Sequence, residues 1–364
     1  MDAALVIGGT RFVGRHLVDH LLDHDYHVTL FTRGTHENPF ASHDRVDHVQ
    51  GDRGVKTDLQ AAAMTVDYDA VFDVVAYHPS EVETAVDVFA DAEAYVYVSS
   101  GAAYGDEVIP KREGETGLEP CTPTQATDDS PDTYGARKAA GDRAVFEASK
   151  DGVRAMSVRP CVVYGPHDYT ERTDYWLARV HEYDRVLVPG DGTNVWHRVY
   201  APDVAEALRL VAERGSAGEA YNVGDRRLTT LQEYVDLAAD AMGTDVEVVT
   251  AGERELAAGG LSPTDFPLYR PYPHVMSTAK LADLGWTSTP LSSAMLATAA
   301  DHRDSERDGS DVGPDRSDEE RVLGVLDTYQ YRSCPRTTPC NQIEASGASS
   351  KRYTIRRPVI ESIS

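Results

Sequence analysis

The sequence predicts an α/β protein in which helices cover both faces of a doubly wound parallel sheet and a smaller C-terminal lobe follows. Three observations lead to this prediction: short apolar runs alternate with amphipathic stretches, a glycine-rich turn follows the first apolar run, and the composition changes near Gly165. With 364 residues, 41% of them hydrophobic, the chain is long enough to bury the core that this architecture requires.

Each strand of the sheet is predicted from a short apolar run. The run AALVI is the first strand, and the stretch after it places Val13, Leu17 and Leu21 on one face of a helix. Further strands are predicted at HVTLF, AVFDVV, AYVYVSS and VRAMSVRP, with helical stretches between them. Repeated strand–helix units produce a parallel sheet, because a crossover helix returns the chain to the same edge before the next strand begins.

The second half of the chain divides into three predicted segments. Residues 166–302 are rich in aromatic residues and proline and are predicted to form a substrate-binding lobe, some segments of which return to the sheet. Residues 303–330 are polar and charged, which is typical of an acidic disordered linker. Residues 331–364 reverse the charge balance, and we expect an aberrant basic tail without function, a genuine basic tail being the alternative.

The charge of the chain is strongly acidic. The net charge is −25, and Lys occurs only at positions 56, 111, 138, 150, 280 and 351, a composition similar to that of proteins from salt-loving, halophilic organisms. At ordinary salt such a charge repels nucleic acid, whereas in molar salt the Debye length falls to about 3 Å and net charge says little about partners. A nucleic-acid partner is not predicted.

Targeting signals and cysteine content both point to the cytoplasm. The chain shows neither a signal peptide nor an apolar run of about 18 residues, so we expect no membrane segment. Only Cys121 and Cys161 lie in the first 330 residues, which excludes a disulfide scaffold and favours a reducing compartment. A cytoplasmic location is therefore predicted.

The glycine-rich turn VIGGTRFVG lies between the first strand and the first helix. Glycine permits a tight turn and the close approach of a ligand, and the helix N-terminus then offers N–H donors to a pyrophosphate. Residues 1–165 are therefore predicted to form an NAD(P)-binding Rossmann domain, with a merely structural turn as the alternative. The predicted cofactor contacts in the turn are Gly8, Thr10, Arg11, Phe12, Val13 and Gly14.

Two arginines predict which dinucleotide is preferred. The second strand ends in FTRG, so Thr32 and Arg33 stand where an NAD-preferring fold carries an acid for the ribose hydroxyls. A guanidinium binds a 2′-phosphate bidentately, and Arg11 projects from the neighbouring turn. NADP(H) is therefore favoured over NAD(H); the alternative is that Arg11 packs over adenine in an NAD enzyme.

The segment QGDRG follows the third strand. Asp52 in it is a candidate acceptor for the adenine amino group, with Arg53 beside it, and an ordinary turn aspartate is an equal alternative. His16, His20 and His24 repeat every four residues but have no acidic or Cys partner at ligand spacing, so they are interpreted as a solvated helix face and no metal is predicted.

The stretch TYGARKAAGDRAVFEAS carries the strongest chemical signal. Tyr134 and Lys138 are four residues apart and share one face of a helix. A nearby ammonium favours the phenolate of a tyrosine, whose free pKa is about 10, and so moves the phenol toward acid–base work. Upstream, a strand ends at Ser99 and Ser100, which places hydroxyls at the carboxyl edge of the sheet, where α/β sheets bind ligands.

Taken together, these motifs resemble those of the extended short-chain dehydrogenase/reductases, in particular the NAD-dependent epimerase/dehydratase family of nucleotide-sugar enzymes. GGTRFVG, SSGAAYG, YGARK, VRPCVVYGP, DGTNVWHRVYAPDVAEAL, YNVGD and LGW are similar to the family's landmarks over about residues 3–300. The resemblance implies that Ser100, Tyr134 and Lys138 are the catalytic triad. It also implies that Tyr134 moves a hydroxyl proton while hydride passes to or from the nicotinamide, and that Tyr134 and Lys138 contact the cofactor.

The chain departs from the family pattern at two places. Arg11 and the FTRG strand end resemble an atypical branch that includes chloroplast RNA-binding proteins and NADP-type reductases. The arginine that clamps the substrate phosphates in nucleotide-sugar epimerases is replaced by Trp196, and Arg198 and Arg270 are the candidate substitutes.

The predicted function is that of an NAD(P)-dependent epimerase, dehydratase or reductase, an isomerase or oxidoreductase acting on a sugar or nucleotide sugar. The alternative is a catalytically idle NAD(P)-binding relative with a regulatory or RNA-binding role. The predicted partner is the small-molecule substrate, and a homodimer is the candidate assembly.

Overall fold

The computed structural model of the chain describes residues 1–333, with side chains as far as residue 328. Strands and helices alternate in its first half, as the apolar runs predict, except that β3 follows β2 without a helix between them. In chain order these elements are β1 (Ala3–Ile7), α1 (Phe12–Asp23), β2 (His27–Thr32), β3 (Val46–Gln50), α2 (Lys56–Thr65), β4 (Ala70–Asp73), α3 (Pro79–Val88), β5 (Ala94–Val98), α4 (Tyr134–Lys150) and β6 (Ala155–Pro160).

The second half adds shorter strands and the remaining helices. They are β7 (Val162–Tyr164), α5 (Arg172–Glu182), β8 (Arg185–Pro189), β9 (Arg198–Tyr200), α6 (Ala201–Arg214), β10 (Ala220–Val223), α7 (Leu231–Met242), β11 (Glu247–Ala251), α8 (Glu253–Ala258), α9 (Ala279–Ala282), α10 (Leu291–Arg303) and α11 (Arg316–Ser333). Within residues 1–333, no helix combines the length and the apolar character needed to span a bilayer.

The central sheet has 7 strands in the order β10-β6-β5-β4-β1-β2-β3. All neighbouring strands in it are parallel, so their carboxyl ends meet at one edge. The strand order reverses between β1 and β4, and ligands of such sheets bind in the crevice outside that reversal. The predicted doubly wound parallel sheet is confirmed, and β10 is a segment beyond residue 165 that returns to it.

Helices cover both faces of this sheet, and a separate apolar core holds the lobe together. On one face α1 packs against α6, which buries Leu17, Leu21 and Leu208. On the other face α2, α3 and α4 cover the sheet with side chains such as Leu59 and Val82. The lobe core contains Trp176, Leu187, Tyr234, Leu256 and Met295, contributed by α5, α7, α8, α10 and β8.

The prediction of a disordered linker over 303–330 is wrong, because α11 occupies most of that segment and packs against the lobe. Glu319 is only 1% exposed and accepts hydrogen bonds from Tyr175 Oη at 2.6 Å and Arg179 Nε at 2.8 Å. Val322 and Leu323 are buried in the lobe core beside it. The charged composition concealed a helix, α11, whose buried carboxylate at Glu319 is paired with Arg179. The predicted basic tail begins at residue 331, and its residues 334–364 lie outside the described residues.

Candidate active site and cofactor cleft

The glycine turn after β1 forms a cradle that side chains would fill. Gly8 has φ +110°, and a Cβ built on it would lie 2.6 Å from Val74 Cγ2. A Cβ on Gly14 would lie 2.7 Å from the backbone nitrogen of Gly9, so glycine lets α1 start directly against the turn. Arg11, at the N-cap of α1, makes no side-chain capping hydrogen bond. This backbone fits a pyrophosphate.

The two arginines predicted to select the dinucleotide both lie at the edge of this cradle. Arg11 is exposed, and its guanidinium carbon lies 3.9 Å from the centroid of the Tyr169 ring. Its Nη1 also approaches His36 Nε2 at 3.5 Å. Arg33 follows the end of β2 and is exposed, and its carbonyl oxygen accepts a hydrogen bond from Gln50.

The structure does not bring Arg53 to the cofactor cleft as predicted. Arg53 is 8% exposed, its Nη2 donates to Asp73 Oδ2 at 2.7 Å, and its Nη1 lies 3.3 Å from Glu81 Oε2. Its guanidinium therefore neutralises a buried aspartate under the sheet edge. Asp52 is exposed and accepts the backbone N–H of Gly54 at 2.9 Å, which is the turn geometry that the sequence left as the alternative.

Ser100 and Tyr134 meet because two turns pack closely together. Ser100 lies two residues after the end of β5. Its Oγ accepts a hydrogen bond from the backbone N–H of Ala102 at 3.1 Å. A Cβ on Gly135 would lie 2.4 Å from the Ala102 oxygen, so glycine allows the start of α4 to press against this turn. Ser99 is buried, 2% exposed, whereas Ser100 is partly exposed and lies close enough to Tyr134 to act on the pKa of its phenol.

Lys138 lies one turn further along α4 and is 3% exposed. Its Nζ donates to the carbonyl oxygens of Ala76 at 2.7 Å and Val98 at 2.8 Å, and lies 5.8 Å from the centroid of the Tyr134 ring. Burial lowers the pKa of Lys138 to about 8. The ammonium is thus anchored beneath the phenol between the ends of β4 and β5.

The pKa of the Tyr134 phenol is raised, not lowered as the neighbouring ammonium led us to expect. Burial raises the pKa of the Tyr134 phenol, and the hydrogen bond from Ser100 opposes that rise only in part. Desolvation is the largest effect on this pKa, and the hydrogen bonds of the Lys138 ammonium go to backbone carbonyl groups.

Two tyrosines at this site have no counterpart in the sequence-based prediction. Tyr77 follows β4 and is 44% exposed, and Tyr169, in the loop between β7 and α5, is 47% exposed. Burial of its phenol raises the pKa of Tyr77, and the neighbouring Tyr169 adds to that rise. The sequence offered one signal for Tyr169, an aromatic residue in the polar loop segment YGPHDYTER. Its contact with the glycine turn could not be predicted, because the two segments are far apart in the chain.

Of the three residues predicted to bind substrate, Arg198 is buried, whereas Trp196 and Arg270 are partly exposed. Arg198 is 3% exposed, lies 4.3 Å from the Tyr234 ring centroid and donates to Thr229 Oγ1 at 3.3 Å, so it is not the accessible clamp that the sequence suggested. Arg270 is partly exposed and its guanidinium carbon lies 5.7 Å from the Trp196 ring.

Arg270 is paired with an acid on the loop after β5. Its Nη2 donates to Glu107 Oε1 at 2.7 Å, and the other carboxylate oxygen of Glu107 lies 3.2 Å from Lys111 Nζ. Burial alone would raise the pKa of Glu107, but its hydrogen bonds from Lys111 and Arg270 hold it below the usual value. An anion that binds Arg270 must therefore compete with Glu107.

Comparison with known proteins gives one relative named for stem-loop binding and another named for glycan biosynthesis. The chloroplast stem-loop binding protein of 41 kDa b from Arabidopsis thaliana is 25% identical over 271 residues, which is 70% of this chain and 67% of the relative. The low-salt glycan biosynthesis protein Agl12 of Haloferax volcanii is 28% identical over 265 residues, covering 66% of this chain and 82% of the relative.

Among solved structures, the dTDP-glucose 4,6-dehydratase of Bacillus anthracis in complex with NAD superposes with a TM-score of 0.66 at 20% identity. The superposition covers 84% of this chain and 98% of that one, which shows that the two share a fold.

The sequence model of the NAD-dependent epimerase/dehydratase family matches residues 4–224. The match starts in β1 and ends just after β10, so it spans the whole central sheet, the glycine turn and the three residues predicted to be catalytic. It covers more than half of the chain and confirms the resemblance drawn from the motifs. The chain therefore belongs to the NAD-dependent epimerase/dehydratase family, a family of enzymes.

Proposed function

We propose that this protein is an NAD(P)-dependent enzyme that epimerises, dehydrates or reduces a sugar or a nucleotide sugar. The observation that carries the proposal is the arrangement of Ser100, Tyr134 and Lys138 at the carboxyl edge of the sheet, beside the glycine cradle. The substrate class is supported by the name of the Bacillus dehydratase. A location in the cytoplasm and a homodimeric assembly belong to the same proposal.

The dinucleotide is bound by the turn between β1 and α1, whose backbone donors face its pyrophosphate. Two observations favour NADP(H): Arg11 and Arg33 are both exposed, and β2 ends in Thr32 rather than a carboxylate. When bound, the dinucleotide supplies the nicotinamide carbon that accepts or returns the hydride.

Tyr134 is the acid–base group in this proposal. Its phenolate takes the proton of the reacting hydroxyl when the substrate carbon is oxidised, and its phenol gives a proton when that carbon is reduced. The Ser100 hydroxyl, which lies close enough to the phenol to act on its pKa, holds the reacting oxygen next to it. Ser100 follows β5 and Tyr134 begins α4, so the sheet and the helix that covers it fix the separation of the two groups.

Lys138 stabilises the phenolate and binds the cofactor. An ammonium has three N–H donors, and two of them go to the carbonyl oxygens of Ala76 and Val98. We assign the third to the ribose next to the nicotinamide. Since the pKa of Lys138 is about 8, its charge is present at neutral pH and supports ionisation of Tyr134.

Arg270 and Trp196 are proposed to bind the substrate's far end. Arg270 offers a guanidinium for a phosphate and Trp196 a flat surface beside it. Glu107 holds Arg270 by an ion pair, so only an anion that replaces this carboxylate is bound there. This arrangement favours a diphosphate-linked sugar over a neutral one.

The proposal is tested with a panel of dTDP- and UDP-linked sugars and free sugars, incubated with the purified protein and either NADP(H) or NAD(H). We expect turnover of at least one nucleotide sugar by the wild-type protein and at least a hundredfold slower turnover by Tyr134→Phe. Tyr272→Ala, at a 69% exposed tyrosine of the lobe, is the matched control for loss of a phenol.

A second candidate function is favoured by one observation, the similarity to a stem-loop binding protein. In that case the protein binds dinucleotide and a structured RNA without turning over any sugar. Fluorescence anisotropy with a labelled RNA stem-loop, at the same salt as the turnover assay, distinguishes the two functions. RNA binding together with a silent substrate panel would replace the enzymatic proposal.

A further inference from the structure

A strap from the lobe crosses to the glycine turn. We use this name for residues 165–171, which connect β7 to α5. His16 Nε2 of α1 donates to the Pro166 oxygen at 2.9 Å, and the His167 N–H donates to Asp301 Oδ2 of α10 at 2.8 Å. The strap is therefore fixed to the first helix of the dinucleotide domain on one side and to the lobe on the other.

Tyr169 extends from the strap over the start of α1. Its ring centroid lies 3.9 Å from the guanidinium carbon of Arg11 and 6.1 Å from the Phe12 ring, which meets it edge to face. Tyr169 is 47% exposed, so it adds little to the apolar core. The turn of the strap is held by Asp168 instead, whose Oδ1 accepts the N–H of Thr170 at 2.8 Å and its hydroxyl at 2.7 Å.

The contact leaves Arg11 available for an anion. A ring stacked on a guanidinium occupies one flat face, whereas the N–H donors point outward in the guanidinium plane. Across residues 1–328 no carboxylate forms an ion pair with Arg11, and its recorded polar neighbour is His36 Nε2 at 3.5 Å. The Tyr169 ring therefore orients the Arg11 guanidinium, and no carboxylate among residues 1–328 neutralises its charge.

We propose that Tyr169 is a positioning residue for the cofactor: the lobe holds Arg11 through this ring so that the guanidinium receives a phosphate of the dinucleotide. The inference rests on the proposed function. It assigns part of the cofactor affinity to a residue of the lobe, outside the dinucleotide turn. The phosphate is either the 2′-phosphate of NADP(H) or the pyrophosphate common to both dinucleotides.

The test measures dissociation constants of NADP(H) and NAD(H) by calorimetry for the wild type, Tyr169→Phe, Tyr169→Ala and Arg11→Ala. Because cation–π stacking needs only the ring, Tyr169→Phe should bind as the wild type does, and Tyr169→Ala should bind roughly three- to thirtyfold more weakly. The double variant Arg11→Ala/Tyr169→Ala should bind no more weakly than Arg11→Ala alone. Tyr272→Ala, an exposed tyrosine away from the strap, controls for nonspecific loss.

The pattern of losses assigns the phosphate and separates the two proposals. Weakening of NADP(H) alone identifies the 2′-phosphate, and equal weakening of both dinucleotides identifies the pyrophosphate. If Arg11→Ala weakens binding and Tyr169→Ala does not, or if Tyr169→Phe binds as weakly as Tyr169→Ala, the inference is overturned while the cofactor assignment stands. If Arg11→Ala binds as the wild type does, the proposed role of Arg11 fails and the role of Tyr169 fails with it.

Discussion

Replacing Lys138 with methionine should change turnover and cofactor affinity much more than the free energy of unfolding. Burial lowers the pKa of Lys138 from 10.5 to about 8, so burying the charged side chain costs roughly 3 kcal/mol at neutral pH. Methionine removes that cost but leaves the carbonyl groups of Ala76 and Val98 without this donor, at roughly 1–3 kcal/mol each. The terms nearly cancel, so we expect the free energy of unfolding near pH 7 to change by less than about 3 kcal/mol.

The pH dependence of this variant gives the sharper result. Between pH 8 and the ordinary lysine value, the unfolded chain holds a proton that the folded protein has released, so wild-type stability rises with pH in that window. Methionine does not titrate. The stability of the wild type relative to the variant should therefore grow by roughly 1 kcal/mol from about pH 7 to about pH 9.

The assay is guanidinium unfolding of the wild type, Lys138→Met and the control Lys150→Met in one buffer salt. Lys150 lies at the end of the same helix but is exposed, so its replacement should leave the pH dependence unchanged. Turnover and cofactor affinity of Lys138→Met should fall together, because the same ammonium supports the phenolate and binds the ribose. A stability difference that is flat or falls between pH 7 and 9 would refute the buried, titrating lysine.

Three further substitutions test other parts of the site and fold. Tyr134→Phe should reduce turnover at least a hundredfold and leave the dissociation constant of the cofactor nearly unchanged, as steady-state kinetics and calorimetry would show; full activity would remove Tyr134 from the chemistry. Arg33→Ala should narrow the preference for NADP(H) over NAD(H) roughly ten- to hundredfold in paired titrations, and equal wild-type affinities would contradict its role. Glu319→Ala should lower the free energy of unfolding by roughly 3–5 kcal/mol in chemical denaturation, because buried Arg179 loses its carboxylate partner. Glu320→Ala, at an exposed carboxylate, should lower it by less than about 1 kcal/mol. Equally small losses for both variants would contradict the buried ion pair.

Local spacing made the placement of Tyr134, Lys138 and the glycine turn predictable. Tyr134 and Lys138 are four residues apart on one helix, and the glycine turn is continuous in sequence with β1 and α1. Each relation depends on neighbours within a few residues, which helix and turn geometry determine. The parallel sheet followed from the same kind of evidence, since central strands such as β1 and β5 are uninterrupted apolar runs.

Contacts between distant segments were not predictable in the same way. Arg53 appeared available for adenine because its partner, Asp73, belongs to another strand. Tyr169 reaches Arg11 only because the strap folds back over α1. Helix α11 was concealed by its acidic surface, although Val322, Leu323 and Leu326 follow a helical spacing that supports burial. Charge composition indicates solvation only on average and does not reveal which charges are paired.

The nicotinamide absorbance after addition of a nucleotide sugar tests the central claim most directly. The purified protein is supplied with NADP(H) or NAD(H) and mixed with each sugar of the panel, and the spectrum of the nicotinamide is followed together with the product mixture. The proposed chemistry predicts that at least one nucleotide sugar changes the redox state of the nicotinamide or yields a new sugar product, and that Tyr134→Phe suppresses both signals. A cofactor that stays bound and spectrally unchanged with every sugar, in wild type and variant alike, would contradict the assignment of this protein as a nucleotide-sugar enzyme.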